Sequence, residues 1–206
     1  MSPPRVTWEK DGRIARLWLN RPEVMNAIDD ELPVDPARCV QEANDDDGVH
    51  VLVLVLAGKG EAFCAGYDLT FYAEANGSNQ ATQEMPWDPM RDYRFMKRNT
   101  DLFMSLWRSY KPVIASVHGF AVAGGSDIAL CCDLVVMAAD ARIGYMPARV
   151  WGCPTTAMWV YRLGPEKAKR MLFTGDKITG TEAREIGLVL DAVPADQLDA
   201  RLDELA

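Results

Sequence analysis

Two stretches of the chain are built to one plan, and that plan restricts the fold more than any other feature. VLVLVLAGKGEAFCAGYDL (51–69) and PVIASVHGFAVAGGSDIAL (112–130) each open with an apolar run of strand length. Each then passes through small residues into the start of a helix: Cys64-Ala65-Gly66 in one, Ala123-Gly124-Gly125 in the other. Continuous apolar character marks a fully buried strand. The first turn of a helix leaves backbone N–H groups without internal partners and carries partial positive charge. Two such ends facing each other present two convergent donors, which is what an oxyanion hole requires. Small residues there let a carbonyl lie close to the backbone. Two tight strand-to-helix joints without a ligand are the plainer reading, and either bend alone supports no more than that.

The remaining segments place these bends in an α/β fold. Val6 to Glu9 and Ile14 to Leu19 flank Lys10-Asp11-Gly12-Arg13, which predicts a β-hairpin closed off by Arg21-Pro22. Asp35-Pro36 reads as an N-cap followed by proline at the first helical position, opening a helix to about Ala43. Buried strands are expected over Val49 to Ala57, Pro112 to Val117 and Leu134 to Met137. A polar tip (76–83) precedes a helix from about Arg91 to Tyr110. Further helices are expected over 154–163, 166–173 and 181–186, then a short strand over 188–193 and a last helix from Ala195. With no convincing linker, the chain reads as a single domain, 1–206.

Several function classes drop out on composition and motif. A formal net charge of −8 argues against nucleic acid as the main partner. No apolar run reaches the length of a membrane span. The N-terminus, MSPPRVTWEKDG, lacks the apolar core of a secretory signal, so a cytoplasmic protein is expected. Five cysteines (39, 64, 131, 132, 153) without a C-x-x-C, and only two histidines, speak against a disulfide scaffold or a metal site. All five read as small core residues. The dinucleotide pattern G-x-G-x-x-G fails at Phe63, and no phosphate loop of the G-K-[ST] kind exists. A nucleophile elbow around Gly124-Gly125-Ser126 fails because Ile128 stands where glycine is required. His118 reads as a turn histidine at a strand end.

The two bends together resemble the crotonase family, the enoyl-CoA hydratase/isomerases. That family carries A-G-x-D-[IL] and, later, G-x-A-x-G-G-x-x-[DE]. Here they stand as Ala65-Gly66-Tyr67-Asp68-Leu69 and as Gly119 through Asp127. Other positions agree in order: Asn20-Arg21-Pro22 with Asn26-Ala27, Cys132-Asp133-Leu134, Thr174-Gly175 with Glu182-Ala183, and Gly187-Leu188-Val189. The resemblance runs from about Val6 to Ala206 and implies a crotonase-like ββα spiral.

What the resemblance implies about the site is specific. The backbone N–H groups of Tyr67 and Gly124 would hold the carbonyl of a CoA thioester, with an enolate as the common intermediate. Asp127 takes the place of the first of two glutamates that hydratases of this family use. Asp68 reads as a structural acid. Coenzyme A, as part of the substrate and not as a tightly bound cofactor, would lie along Val24, Asn26, Ala27, Ala62, Ala65, Gly66, Tyr67, Asp68 and Leu69. Lys59 and Arg21 are candidates for its phosphates or ordinary solvated charges. The expected activity is hydration of a 2-enoyl-CoA; isomerisation of an enoyl-CoA and acyl-CoA binding without turnover stay open. The second glutamate should follow a strand near Arg142 to Gly144, yet GYMPARVWGCP (144–154) has Pro147, Ala148 and Arg149 there. No Asp or Glu stands between Asp140 and Glu166, and Tyr145 and Arg149 remain as candidates to face the pocket. The resemblance also implies a homo-oligomer, a trimer or pair of trimers. The helices that would close the pocket are expected to be shortened or absent, the given sequence ending in one amphipathic stretch, ADQLDARLDELA (about 195–206), either as a shortened protein or as a truncated form.

Overall fold

The computed structural model describes residues 3–49, 54–58, 60–74, 83–150 and 152–206. His50, Lys59 and most of the polar tip lie outside them. In chain order the strands are β1 (Val6–Asp11), β2 (Ile14–Leu19), β3 (Leu54–Gly58), β4 (Val113–Val117) and β5 (Phe120–Val122). They continue as β6 (Leu134–Ala138), β7 (Arg142–Gly144), β8 (Lys177–Thr179) and β9 (Asp191–Val193). The helices are α1 (Val34–Asp45), α2 (Pro89–Trp107), α3 (Gly124–Leu130), α4 (Met158–Thr174), α5 (Gly180–Glu185) and α6 (Leu198–Leu205).

Six strands form the main sheet in the order β1-β2-β3-β4-β6-β9, and β5-β7-β8 form a second, smaller one. The expected hairpin is present, with Val6 opposite Leu19 and Gly12 at φ 59° in its turn. On β2 the buried residues alternate, Ala15, Leu17 and Leu19, which leaves one face on the core. From β2 onward all pairing in the main sheet is parallel. Parallel neighbours need crossovers: α1, α2 and α3 lie in the first three, and α4 and α5 in the connection from β6 to β9. Strand β4, in the middle, is buried at every position.

Several expectations are corrected. Asp35 does not cap α1: the helix begins at Val34 with Pro33 at its N-cap. The Asp35 carboxylate instead accepts the N–H groups of Arg5 (2.6 Å) and Val6, which ties the helix to β1. Both prolines sit where a missing N–H loses no helical bond. The bend after β4 contains a further short strand, β5, and β8 fills the turn before α5. Helix α4 starts at Met158, not Pro154, and is broken at Gly164 (φ 72°, ψ 170°) because the residue before Pro165 disfavours the helical region. Four cysteines are buried as expected, but Cys153 is exposed.

Candidate functional site

The two bends lie side by side and are laced together by backbone hydrogen bonds. Phe63 N–H donates to the His118 carbonyl (3.0 Å), Cys64 N–H to Phe120 (2.9 Å), and Val122 N–H back to Cys64 (3.1 Å). His118 adds a side-chain tie, its Nε2–H donating to the Gly60 carbonyl at 3.0 Å. Its role is structural, as the sequence suggested. Beyond this short parallel ladder, one chain continues to Gly66-Tyr67 and the other to Ala123-Gly124.

The direction of the Tyr67 N–H follows from its neighbours. Ile28 N–H donates to the Gly66 carbonyl (2.8 Å), and Asp68 N–H donates to the Ile28 carbonyl (2.9 Å). Positions 66 and 68 therefore face Ile28, and the alternation of an extended chain turns Tyr67 the other way. Ala123 and Gly124 lie against this bend: a Cβ on Gly66 (φ 89°) would lie 2.7 Å from Ala123 Cβ and 3.4 Å from Gly124 N. Gly66 is thus required both by its conformation and by close approach. Gly125 is required too, since its Cβ would fall 2.3 Å from the Cys64 carbonyl oxygen. Among the described residues, neither the Tyr67 nor the Gly124 N–H has an acceptor. Ala123 leads into α3 at φ 52°, ψ −127°, a conformation that L-residues avoid. Such strain is held by the surrounding structure, here by Ala123 N–H on the Gly144 carbonyl (2.9 Å), and it fixes the direction of the following N–H.

One turn into α3 lies Asp127, 2% exposed. The Thr156 hydroxyl donates to its Oδ1 at 2.9 Å. Burial raises its carboxyl to about 7, against the pull of Thr156 and the Thr155 backbone toward lower values. A carboxyl titrating near neutrality can exchange protons in both directions. Burial also pushes the Tyr67 phenol up to about 12, which removes it as a base.

The loop expected to meet coenzyme A is drawn in tightly. Met25 and Asn26 both adopt left-handed conformations after a 3-10 turn at Pro22–Val24. Asn26 is fully buried; its Nδ2 donates to the Ala62 carbonyl (2.9 Å) and its Oδ1 accepts from Arg21 N–H (2.8 Å). Its side chain therefore shapes the loop, bringing Val24, Ala27 and Ala62 to the Ala65–Leu69 bend. Leu69 is exposed, and Ala62 and Gly66 are buried. Asp68 caps the turn that follows, its Oδ1 accepting Phe71 N–H at 3.1 Å. Its Oδ2 pairs with Arg21 at 3.0 Å. Arg21 is mostly buried, with Asp29 also 3.6 Å from its Nε, so it is a structural cation and not a solvated one.

Comparison with known proteins agrees with this geometry. Residues 9–206 match the family model described as Enoyl-CoA hydratase/isomerase. The chain belongs to that family. It is 30% identical over 209 residues to a crotonyl-CoA hydratase of Syntrophomonas wolfei, spanning 100% of this chain and 75% of that protein. An (E)-benzylidenesuccinyl-CoA hydratase of Thauera aromatica is 32% identical over 91% of this chain and 69% of its own length. Among solved structures, an enoyl-CoA hydratase of Mycobacterium smegmatis superposes with a TM-score of 0.88 at 46% identity, over 98% of this chain and 70% of that one.

The loop in which the resemblance places a second acid carries none. After β7 the chain makes a 3-10 turn, Met146–Arg149, in which Ala148 packs against the core. Arg149 turns outward: its Nε donates to the Thr174 carbonyl (2.7 Å) and its guanidinium pairs with Asp176 (3.0 Å). Tyr145 is buried, its hydroxyl donating to the Cys153 carbonyl at 2.9 Å, and burial raises its pKa further from that of a base. Sequence reasoning did not single out Thr156, although Thr155-Thr156 is a polar pair just before an apolar helix. It also passed over Asn99, a polar residue on the stripe that Phe103 and Leu106 continue at helical spacing.

Proposed function

We propose that this chain hydrates a 2-enoyl-CoA thioester. The observation that supports the reading is that two N–H groups without an acceptor among the described residues, of Tyr67 and Gly124, lie on adjoining bends, with the buried Asp127 carboxyl one turn into α3. The thioester carbonyl oxygen accepts from both donors. Ionised Asp127 takes a proton from water as the water oxygen bonds C3. The electron pair of the C2–C3 double bond becomes a C1–C2 double bond as the carbonyl π pair moves onto oxygen, giving an enolate that the two N–H groups stabilise. Protonated Asp127 then returns the proton to C2 and is ionised again. One carboxyl of pKa about 7 performs both transfers in turn. Coenzyme A would lie against Val24, Asn26, Ala27, Ala62 and the Ala65–Leu69 bend, largely through backbone contacts.

The absence of any Asp or Glu between Asp140 and Glu166 also favours a second reading, double-bond isomerisation, in which Asp127 only moves a proton from one carbon to another. We read the chain as one domain that works in the cytoplasm as a trimer or pair of trimers. The exposed Tyr161 and Phe173 of α4 support a covered face on an assembly. Among the described residues no helix is long and apolar enough to cross a membrane.

A mass-spectrometric assay of enoyl-CoA esters in deuterated water, with wild type beside Asp127→Ala, tests the activity. Addition of water with one deuterium at C2, lost in the variant, is the expected result. Deuterium exchange with a shifted double bond and no added water would select isomerisation. Water addition undiminished in Asp127→Ala would overturn the assignment of Asp127.

A further inference from the structure

Asn99 of α2 is completely buried, and only one of its amide atoms has a partner. Its Nδ2 donates to the Tyr67 phenol oxygen at 3.3 Å, while its Oδ1 has no hydrogen-bond partner among the described residues. A buried acceptor left unpaired is destabilising, so one retained in a native core calls for an explanation. Its position supplies one. A Cβ on Gly124 would lie 3.2 Å from Tyr67 Cε2, so the Tyr67 ring flanks the donor pair and its hydroxyl points on toward α2. One turn further along, Met104 of α2 meets Cys131 at the end of α3. Helices α2 and α3 therefore advance in the same sense, which sets Asn99 level with the first turn of α3, where Gly124 and Asp127 stand.

We infer that Asn99 and the Tyr67 phenol form a polar subsite for a hydroxyl group carried on the acyl chain. The inference rests on the CoA-thioester reading of the same site. The phenol accepts from Asn99, which leaves its own proton to be given away. A ligand hydroxyl accepts that proton and donates its own to Asn99 Oδ1, closing a ring of three hydrogen bonds. If the amide is turned over, the hydroxyl accepts from Nδ2 and donates to the phenol oxygen, so it suits the pair in either orientation. A carboxylate does not: it can only accept, and it would share a buried region with Asp127. The aromatic rings around the pair, Tyr67 against Tyr72 (5.7 Å between centroids) and Tyr72 against Phe95 (5.8 Å), give the rest of the chain an apolar wall.

The test uses binding, so that it does not depend on turnover. Saturated acyl-CoA esters are titrated calorimetrically against the full protein, each paired with a hydroxylated ester of the same length, the hydroxyl moved one carbon at a time from C4 outward, beyond the C3 that hydration itself oxygenates. At one position the hydroxylated ester should bind about tenfold to a hundredfold tighter than its plain partner, the discrimination typical of a buried polar site. Asn99→Leu should abolish that ratio, and Asn99→Ser serves if the leucine variant does not fold. Equal affinity at every hydroxyl position in wild type overturns the inference while leaving the thioester reading intact. A preference that survives in the Asn99 variants overturns it as well. Failure of every ester to bind overturns both readings. Binding without turnover in the deuterium assay overturns hydration alone and leaves the subsite standing.

Discussion

Replacing Asp127 with asparagine should make the protein inactive and, at alkaline pH, more stable. The native carboxyl is raised from 3.8 to about 7, with burial as the main cause. Between these values the native protein holds a proton that the unfolded chain has released. Stability must therefore fall as pH rises through that interval, and it levels off above it. At about 1.4 kcal/mol per pH unit, the whole loss is on the order of 4 kcal/mol, of which about 3 kcal/mol falls between pH 5 and pH 8. Asparagine has nearly the same shape, its Oδ1 still accepts from Thr156, and it does not titrate. The absolute stability of the variant includes the fit of its new N–H₂ group, but the change in the difference between the two proteins from pH 5 to pH 8 does not. Urea unfolding of both, at one protein concentration and at these two pH values, measures that change. The variant should gain about 3 kcal/mol on wild type. A change below about 0.5 kcal/mol would mean that the carboxyl is solvated in the native state, and the single-acid mechanism would lose its physical basis.

Two further perturbations address the surroundings of the site. Thr156→Val removes the hydroxyl that favours the ionised form of Asp127, so the acid limb of kcat/KM, near pH 7 in wild type, should move to higher pH; an unmoved limb would separate Thr156 from the titrating group. Arg21→Met leaves Asp68 without its mostly buried cation, while Asp29 keeps Arg5 at 2.8 Å; the change should cost about 3 kcal/mol in chemical unfolding, whereas a loss below about 1 kcal/mol would show the Arg21–Asp68 pair to be solvated.

The parts of this molecule that could be read from its sequence are those where local chemistry determines local shape. The hairpin followed from Asp11-Gly12, the buried strands from their continuous apolar runs, and the two bends from glycines that contact geometry requires. Asp68 was placed as a structural acid and is one. What escaped depends on partners distant in sequence. Asp35 looks like a cap because aspartate before proline usually is; the N–H groups of Arg5 and Val6, some thirty residues earlier, take its carboxylate instead. Strands β5 and β8 are three residues each, too short to show a period, and they exist because both pair with β7, the strand the resemblance placed near Arg142 to Gly144. Thr156 reaches Asp127 from 29 residues away, and Asn99 meets Tyr67 across 32. Arg21 reads as a free cation only until Asp29 and Asp68 are folded against it.

The missing second acid and the raised Asp127 pKa are two sides of one arrangement. Two acids that share the work must be held in opposite states, one ionised and one protonated, before the reaction begins. A single acid must instead accept and release the same proton, which is easiest when its pKa lies near the working pH. Desolvation alone raises Asp127, and among the described residues no cation contributes to its shift. That condition is maintained by the loop from which the family's second acid would come. Ala148 brings no charge, and Arg149, the cation of that loop, is paired with Asp176 on the outer surface. An inward arginine would favour the ionised form and pull Asp127 back toward ordinary values. It would then be a competent base but a poor donor to the enolate. On the proposed single-acid reaction, the outward turn of Arg149 preserves the property that would let one carboxyl make both proton transfers.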